Sequence, residues 1–457
     1  MASVTPQKVR PPAVAGMFYP GDPGALAAEI DDLIGGVEQI APRLGFPKAL
    51  VVPHAGYIYS GAVAARAYDD IAPARGIVKR VVLLGPVHRV AVRGLALPAA
   101  EFFDTPLGRI PIDQDAVREL ASLPQVVSSA PAHAMEHSLE VQLPFLQNAL
   151  GDFALVPLAV GMASVEEVAA VLERLWGAAE TLIVISTDMS HYHAYDEARR
   201  IDSATLERIA GFATNINHEE ACGATPLNGL LALAKKKNLS IKLLAACNSG
   251  DTAGGKGQVV GYSSFALHEG GGDVSLDEAG GTLLAIARSS IENSLAGKEK
   301  KPFPESPWLR QAGATFITLM KNGALRGCIG SLQAVRPLGI DAAENALGAA
   351  FRDPRFAAMT AEEWPQCSVE VSLLSAPKPI RFADEADLVS QIRAGEDGLI
   401  LECDGKRATF LPQVWEGLPQ KEIFLRELLK KGGLPADTRL GRCKIHRYRV
   451  AKWKEKS

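Results

Sequence analysis

Short apolar runs rich in β-branched residues alternate with segments of helical periodicity along the sequence as far as Leu267. The runs are Ala49 to Pro53, Val78 to Gly85, Phe153 to Val160, Leu182 to Ser186, Ile241 to Ala246 and Val259 to Leu267. Apolar residues recur at helical spacing in Pro23 to Gly35, Asp113 to Leu123, Val165 to Ala178 and Ala198 to Ala210. Because strands that alternate with helices are usually covered on both faces, this pattern predicts a layered α/β domain with a largely buried sheet.

A glycine-rich segment from His268 to Asp273 separates this region from a second one. Three consecutive glycines between two periodic regions are typical of a flexible linker, so we place the boundary near residue 272, with domains at 1–270 and 275–457. The second region contains a helical pattern and several shorter strand patterns, which predict a smaller α/β or α+β domain. These patterns are Ala279 to Ala296 for the helix, and Ala314 to Met320, Cys367 to Leu374 and Leu399 to Glu402 for the strands.

The composition argues against several classes of protein. The formal net charge of -4 gives no general electrostatic reason to bind nucleic acid or an anionic membrane. The first 18 residues contain no continuous apolar core of a signal peptide, and no later stretch is long enough to span a bilayer. Six cysteines without a CxxC pair predict reduced thiols in a cytoplasmic protein, rather than a disulfide framework or a zinc finger.

Three of the apolar runs finish in histidine, at His54, His88 and His191. Since the ligand crevice of an α/β sheet lies at the carboxyl ends of its strands, these three side chains can converge on one point. Neutral imidazole suits transition metals, so we predict a metal site for iron first, with zinc or copper as alternatives. Asp188 could complete a set of two histidines and one carboxylate, orient a ligating histidine, or act as a general base.

A second cluster of polar residues surrounds Glu136. His133 and His137 are four residues apart, which on a helix would place both on one face, although the sequence lacks the glutamate placement of the HExxH zinc motif. We interpret Glu136, His137 and Glu140 as candidates for acid/base catalysis or substrate positioning. The alternative is an amphipathic helix that begins near Glu136.

Four further segments carry polar, reactive or aromatic groups. Asn248 to Gly255 follows a predicted strand and offers backbone amides and hydroxyls, but it matches neither the Walker motif nor GxGxxG. In the second region, Cys328 is predicted in a glycine-flanked turn beside Arg326, whose charge can lower the pKa of a thiol; simple packing of a small residue is the alternative. The predicted loops Phe351 to Phe356 and Phe410 to Trp415 could hold an RNA base or a partner peptide.

Several motifs of the first region occur together in one known family. They are Pro53-His-Ala-Gly-Tyr, Leu84-Gly-Pro-Val-His88, Glu136-His-Ser-Leu-Glu140, Ser186-Thr-Asp-Met-Ser-His191 and Ser249-Gly-Asp251. Through them, residues from about Pro11 to Leu267 resemble the Memo family. The resemblance implies a fold similar to class III extradiol dioxygenases, which are non-haem iron enzymes, with a metal pocket at His54, His88 and His191.

The resemblance also implies a cysteine from the turn near Ser249 to Gly255. This sequence has Thr252 there, and Cys247 comes one strand-length too early. This departure weakens the case for a thiolate-bound copper or iron centre.

The second region has its own set of motifs. They are Leu325-Arg-Gly-Cys-Ile-Gly-Ser331, Phe351-Arg-Asp-Pro-Arg-Phe356, Val369-Glu-Val-Ser-Leu-Leu374 and Leu411-Pro-Gln-Val-Trp415. Residues from about Ser275 to Tyr448 thereby resemble the AMMECR domain family. Our leading hypothesis is a metal-dependent, dioxygenase-like oxidoreductase domain fused to an AMMECR domain that binds its substrate or a partner. Two alternatives stay open: a non-catalytic module that binds a phosphorylated or aromatic ligand or a peptide, and an accessory component of a radical-SAM modification system.

Overall fold

The computed structural model describes residues 8–37, 42, 44–270, 274–298, 306–435 and 438–455. The chain forms two compact units. One unit comprises Met1–Val37 and Phe46–Gly272, and the other comprises Asp273–Ser457 together with the short segment Glu38–Gly45. The predicted boundary near residue 272 falls on residues 271–273, which lie outside the described part of the chain.

The first unit alternates strands and helices, as the sequence pattern predicted. Its strands are β1 (Val9–Arg10), β2 (Ala49–Val52), β3 (Arg80–Pro86), β4 (Leu95–Leu97), β5 (Phe102–Thr105), β6 (Gly108–Pro111), β7 (Val126–Ser128), β8 (Ala154–Val160), β9 (Thr181–Ser186), β10 (His191–His193), β11 (Ser240–Asn248) and β12 (Val259–His268). Its α-helices are α1 (Pro23–Gly35), α2 (Tyr57–Asp70), α3 (Gln114–Leu120), α4 (Ala130–Ala134), α5 (Leu143–Leu150), α6 (Val165–Arg174), α7 (Tyr195–Ala210) and α8 (Ala224–Lys236). Single turns of 3₁₀ helix lie at Ala72–Ala74, Glu140–Gln142 and Ser249–Asp251.

The main sheet of the first unit has a parallel centre. Within the described residues its strand order is β10-β12-β2-β9-β3-β8-β4-β7, with β11 paired to β12. Strands β2, β9, β3 and β8 are parallel neighbours, whereas β12 pairs antiparallel with β2, and β4 pairs antiparallel with β8. The carboxyl ends of β2, β9 and β3 therefore lie side by side, and the predicted α/β class is confirmed for this unit.

The central strands are apolar throughout because each face of the sheet has its own core. Leu50 and Val52 lie in one core with residues of α1, α2 and α5, whereas Ala49 and Val51 lie in another with residues of α6 and α8. Successive side chains of a strand point to opposite faces, so a run without polar residues indicates a strand that is covered on both sides. This is why periodicity identified these strands in the sequence.

Local capping contacts fix the starts of two predicted helices. The Asp22 side chain accepts the backbone amide of Ala25 at 2.8 Å at the start of α1, which has proline as its first residue. Ser164 and Glu167 form a reciprocal capping box at the start of α6. Among the described residues, none of the helices combines the length and apolar character that a bilayer crossing requires.

The small residues between Ala55 and Gly61 predict a turn at the end of β2, but the structure has helix α2 there. The helix begins at Tyr57, immediately after Gly56, and continues through Gly61. A Cβ atom on Gly61 would lie 2.8 Å from Leu33 Cδ1, so this glycine allows α2 to pack closely against α1. Close helix packing, rather than a turn, accounts for the small residue here.

The second unit is built from antiparallel strands and helices. Its strands are β13 (Ala312–Gly313), β14 (Thr315–Lys321), β15 (Ala324–Gly330), β16 (Arg336–Pro337), β17 (Cys367–Leu374), β18 (Lys378–Ile380), β19 (Gly398–Cys403), β20 (Lys406–Phe410), β21 (Lys444–Tyr448) and β22 (Val450–Lys454). Its α-helices are α9 (Leu276–Leu295), α10 (Pro307–Arg310), α11 (Leu338–Phe351), α12 (Glu385–Gln391) and α13 (Lys421–Lys431), with 3₁₀ turns at Trp364–Gln366, Pro412–Glu416 and Leu440–Arg442. Two four-stranded sheets, β15-β14-β17-β22 and β18-β21-β19-β20, are antiparallel throughout, so this unit is α+β.

A disulfide bond joins Cys403 at the end of β19 to Cys443 just before β21. This bond differs from the expectation that all six cysteines are reduced thiols. The antiparallel register that pairs Glu402 with Lys444 brings the two cysteines opposite each other across the sheet. No sequence pattern predicted this bond, because the two residues are separated by 40 positions and share no short motif.

Candidate metal centre

His54 lies two residues after the end of β2 and is almost completely buried. Its Nδ1 atom is 3.0 Å from Ser186 Oγ. The Ser186 hydroxyl donates its only hydrogen to the Ser138 carbonyl at 2.6 Å and accepts a hydrogen bond from Gln142 Nε2 at 2.9 Å. His54 Nδ1 must therefore be the donor to Ser186, which leaves the lone pair of His54 Nε2 available for a ligand.

His88 follows β3 and is oriented by Glu136. His88 Nδ1 lies 2.9 Å from Glu136 Oε1, and the backbone amide of His88 donates to Glu136 Oε2 at 2.7 Å. The backbone amides of His137 and Ser138 also donate to Glu136 Oε1, each at 2.9 Å. Burial alone would raise the pKa of Glu136, but the hydrogen bonds from His88 and the backbone lower it to about 2. The carboxylate is therefore anionic, holds the proton on His88 Nδ1 and leaves His88 Nε2 free.

His191 begins β10 and has the same tautomer as the other two histidines. Its Nδ1 atom donates to the backbone carbonyl of Met189 at 2.8 Å, because a carbonyl oxygen can only accept. The Nε2 atom of His191 is thus also unprotonated. Burial lowers the pKa of His191 below its usual value, which keeps the ring neutral.

A cysteine that the sequence analysis missed lies in this pocket. Cys222 Sγ is 3.4 Å from His54 Nε2 and accepts the backbone amide of Asp188 at 3.3 Å. Burial, followed by the nearby Asp188 carboxylate, raises the pKa of Cys222 to about 12. The thiol is therefore protonated until a cation displaces its proton, which is the usual way that metal binding creates a thiolate.

Two sets of possible ligand atoms come together among the described residues. His54, His88 and Cys222 each place one ligand atom within 4.8 Å of the other two, and His88, Glu136 and His137 do the same. The imidazole rings of His54 and His88 are 5.2 Å apart, and His137 stacks on His88 at 4.6 Å. The structure therefore brings together two of the three predicted ligands, whereas His191 is in neither set.

Asp188 lies beside these ligand atoms and is buried. Its Oδ1 atom accepts the backbone amide of His54 at 2.7 Å, and its Oδ2 atom is 4.0 Å from His54 Nε2. Burial raises the pKa of Asp188 to about 7, although the amide of His54 opposes that shift. A carboxyl group of this kind can hold or release a proton near neutral pH, which is what the predicted role as a general base would require.

Two glycines allow separate loops to reach the strand ends. A Cβ atom on Gly223 would lie 2.6 Å from Thr187 Cβ, so only glycine lets the loop that carries Cys222 approach the end of β9. A Cβ atom on Gly85 would lie 2.8 Å from Ser138 Oγ, in the loop that carries Glu136. The pocket depends on backbone packing at both positions.

Two residues of the Glu136 cluster have structural roles instead of the predicted ones. Helix α4 ends at Ala134, so His133 and His137 do not share a helix face. His133 is buried and donates from Nε2 to the Ala96 carbonyl at 2.8 Å. Glu140, which is fully buried, forms an ion pair with Arg10 and accepts the backbone amides of Ala13 and Val14 at 2.7 and 2.9 Å. It anchors the N-terminal segment.

The turn from Asn248 to Gly255 does not supply a pocket thiol. Thr252 donates to the Ser249 carbonyl at 3.2 Å, and the Asn248 side chain accepts the backbone amide of Gly250 at 2.9 Å. Cys247 lines a different cavity of about 330 Å³, together with Tyr195. The thiol in the pocket comes instead from Cys222, in the loop before α8.

The candidate residues of the second unit are mostly committed to packing. Cys328 lies within β15 rather than in a turn, and its flanking Gly327 allows α11 to approach, since a Cβ there would be 2.2 Å from the Ala349 carbonyl. Arg326 donates to both carboxylate oxygens of Glu363, at 2.7 and 2.9 Å. Trp415 is buried and stacks on Phe424 at 3.6 Å, so its ring is not free to stack on an RNA base.

The parallel sheet with helices on both faces defines the class of the first unit, an α/β domain, and imidazole and thiol groups form a candidate ligand site at the carboxyl ends of its strands. Comparison with known proteins assigns the families. A model described as "Memo-like protein" matches residues 10–266, and one described as "AMMECR1" matches residues 284–453. The chain belongs to the Memo family and carries an AMMECR1 domain in its second half, as the sequence motifs indicated.

The curated relatives match the first unit over almost their whole length. A MEMO1 family protein of Sulfolobus acidocaldarius is 34% identical over 279 residues, which cover 56% of this chain and 98% of the relative. A MEMO1 family protein of Aquifex aeolicus is 37% identical over 272 residues, which cover 56% of this chain and 97% of the relative.

Two solved structures of uncharacterized proteins show weaker likenesses. One, from Pyrococcus horikoshii, is 34% identical with a TM-score of 0.37 and covers 39% of this chain and 92% of its own. The other, from Escherichia coli, is 16% identical with a TM-score of 0.32 and covers 49% of this chain and 100% of its own. Neither bears on the fold or the function.

Proposed function

We propose that the first unit is a metal-dependent oxidoreductase domain of the dioxygenase-like type, with His54, His88 and Cys222 as the protein ligands. The observation that carries this proposal is the approach of three ligand atoms, from three separate loops, to within 4.8 Å of one another. Each histidine has its Nδ1 atom held by a partner, so each directs its Nε2 atom away from that partner and toward the pocket. Imidazoles oriented in this way are typical of metal sites.

The donor set favours a transition metal over calcium or magnesium. Two neutral imidazoles and a sulfur suit iron, zinc or copper, whereas calcium and magnesium prefer oxygen ligands. We propose iron as the resident metal, with zinc or copper as the alternatives. Bound there, iron would supply redox chemistry, with positions left open for a substrate.

The other polar residues of the pocket are assigned to proton handling and orientation. Asp188, with a pKa of about 7, can exchange a proton at Oδ2, which lies 4.0 Å from His54 Nε2. His137, whose pKa burial lowers to about 4, is neutral and stacks on His88. His191 offers an unprotonated Nε2 atom outside the ligand set and can accept a proton from a substrate. Glu136 orients His88 and takes no proton itself at neutral pH.

Reconstitution of the full chain without a histidine tag tests the proposal. The protein is loaded anaerobically with Fe²⁺, Zn²⁺ or Cu⁺ in turn, desalted and measured for metal content. We expect one equivalent of metal per chain, and with Co²⁺ as a probe we expect a thiolate charge-transfer band that Cys222→Ser abolishes. If none of these metals is retained in stoichiometric amount, the enzyme proposal fails. A non-catalytic binding module would then be the better account of the same residues.

A further inference from the structure

A groove of about 920 Å³ begins at the proposed metal ligands. His88 and Cys222 lie in its wall, and it continues along a wall that includes Val87, Val92 and Met162. Cavities of roughly 300–1,000 Å³ are typical of sites for small molecules. The Met162 side chain is 68% exposed, which is unusual for a large apolar residue beside a cavity and indicates a surface that a ligand can cover.

The charged residues of the groove wall are already paired with each other. Arg93 donates from Nη1 and Nη2 to the two carboxylate oxygens of Glu167, at 2.9 and 2.8 Å, and also to the Met162 carbonyl at 2.8 Å. Glu167 in addition accepts the backbone amide of Ser164 at 2.8 Å. A bidentate pair of this kind leaves little net charge to attract an ionic ligand.

The histidine in the groove wall is also satisfied internally. His218 Nδ1 donates to the Cys222 carbonyl at 3.1 Å, which makes Nε2 the acceptor of the Thr225 hydroxyl at 3.2 Å. Both ring nitrogens therefore have hydrogen-bond partners within the chain. Among the described residues that line the groove, beyond the proposed metal pocket, no cation lacks an anionic partner.

We propose that this groove binds the uncharged, apolar arm of a small-molecule substrate whose polar head reaches the metal. The inference rests on the proposed function, because it takes the metal centre as the anchor of the head group. An anionic arm would lose its hydration in the groove without gaining a partner, which is costly, whereas an apolar arm gains from burial against valine and methionine side chains. The same argument disfavours a phosphorylated arm.

Hydroxamates that differ only in the arm test the proposal on the full chain, loaded with Zn²⁺ or Co²⁺ and checked for metal content first. Hydroxamate is a metal-chelating head, so acetohydroxamate measures the head alone. We expect affinity by calorimetry to rise about fourfold for each added methylene, up to the length of the groove. A hydroxamate whose arm ends in a carboxylate should bind at least about tenfold more weakly than a neutral one of equal length.

Two methionine variants test whether the arm of the hydroxamate binds in the groove. Met162→Lys should reduce the ratio of octanohydroxamate to acetohydroxamate affinity by at least about tenfold, because it places a charge in the groove wall. Met135→Lys changes another exposed methionine, one that does not line the groove, and it should leave this ratio at the wild-type value. Equal affinity for all chain lengths, or tighter binding of the anionic arm, in metal-loaded protein overturns the inference but not the metal proposal. Absence of metal from the loaded wild type overturns both.

Discussion

Each of the two units contains a cluster of polar side chains, and the clusters differ in whether hydrogen bonds within the chain use every polar atom. In the second unit, Asp341 of α11 is fully buried and accepts the Thr315 amide and hydroxyl, both at 2.7 Å, and Asn345 Nδ2 at 2.9 Å. It also accepts the Ser331 hydroxyl at 2.7 Å and Arg336 Nε at 2.8 Å. Every acceptor position of this carboxylate is occupied by its own chain.

In the cluster of the first unit, only one nitrogen of each of the three histidines has a strong hydrogen-bond partner. Ser186, Glu136 and Met189 take the Nδ1 protons of three histidines, and the Nε2 atoms are left without a strong partner. Histidines that are held through Nδ1 direct Nε2 toward the pocket, where it can bind a ligand. Both clusters are polar, and the ligand atoms that the chain itself leaves unused distinguish this candidate site from a structural network.

The largest effect on stability is expected from a substitution in the fully hydrogen-bonded cluster around Asp341. Asp341→Ala removes one acceptor shared by five donors, and we expect it to lower the free energy of unfolding of the second unit by about 3–5 kcal/mol. Denaturation followed by tryptophan fluorescence reports on this unit, since four of the five tryptophans lie in it. Glu427→Ala, at a side chain that is 43% exposed, is the control. A loss of less than about 1 kcal/mol would show that the network is not a structural anchor.

The two units also differ in how they use cysteine residues. Cys403 and Cys443 are bonded to each other across 40 positions, whereas Cys222 faces histidine ligand atoms. Closing a loop of this length restricts the unfolded chain, so Cys403→Ala combined with Cys443→Ala should cost about 2–4 kcal/mol of stability. The comparison is with Cys328→Ser in the same unit. Equal melting temperatures with and without a reductant would contradict this prediction.

Removal of a proposed ligand should affect metal binding far more than folding. Cys222→Ala should weaken metal affinity by more than about a hundredfold, because loss of a residue that merely orients a ligand already costs about 10–100-fold. Cys247→Ala is the matched control, since Cys247 is also partly exposed but lines a different cavity. Competition with a chelator measures both variants, and circular dichroism checks the fold. Equal affinities for the two variants would exclude Cys222 as a ligand.

Replacement of Glu136, the carboxylate that orients His88, should have an intermediate effect on metal affinity. Glu136→Gln keeps the shape of the side chain but removes the charge that holds the proton on His88 Nδ1. We expect metal affinity to fall about 10–100-fold with little change in the melting temperature. Glu140→Gln, in the same segment, should instead lower stability and leave metal affinity unaltered, because Glu140 anchors the N-terminal segment. A reversed pattern would mean that the roles of the two glutamates are exchanged.

Site residues that follow predicted strands could be predicted from the sequence. Residues that reach the site through the packing of a distant loop could not. His54 and His88 follow apolar runs, and the neighbouring positions of β2, β9 and β3 bring these ends together. Cys222 follows no strand, and its approach to His54 depends on how the loop before α8 packs against β9 through Gly223. The 168 positions between Cys222 and His54 carry no periodic signal of that contact. The role of Glu140 was missed for the same reason, since its partner Arg10 is 130 positions away.

The smallest effect is expected for His191. It distinguishes between the ligand set predicted from the sequence and the set that the structure brings together. His191 ends a predicted strand just as His54 and His88 do, but it belongs to neither group of ligand atoms within 4.8 Å. If His54, His88 and Cys222 hold the metal, His191→Ala should lower metal affinity by less than about tenfold, because no coordinating atom is lost. Turnover of a substrate, once one is known, should fall more than affinity does, since His191 then handles a proton. A loss of affinity as large as that of His54→Ala would restore the three-histidine set, and Cys222 would then be a neighbour of the metal and not its ligand.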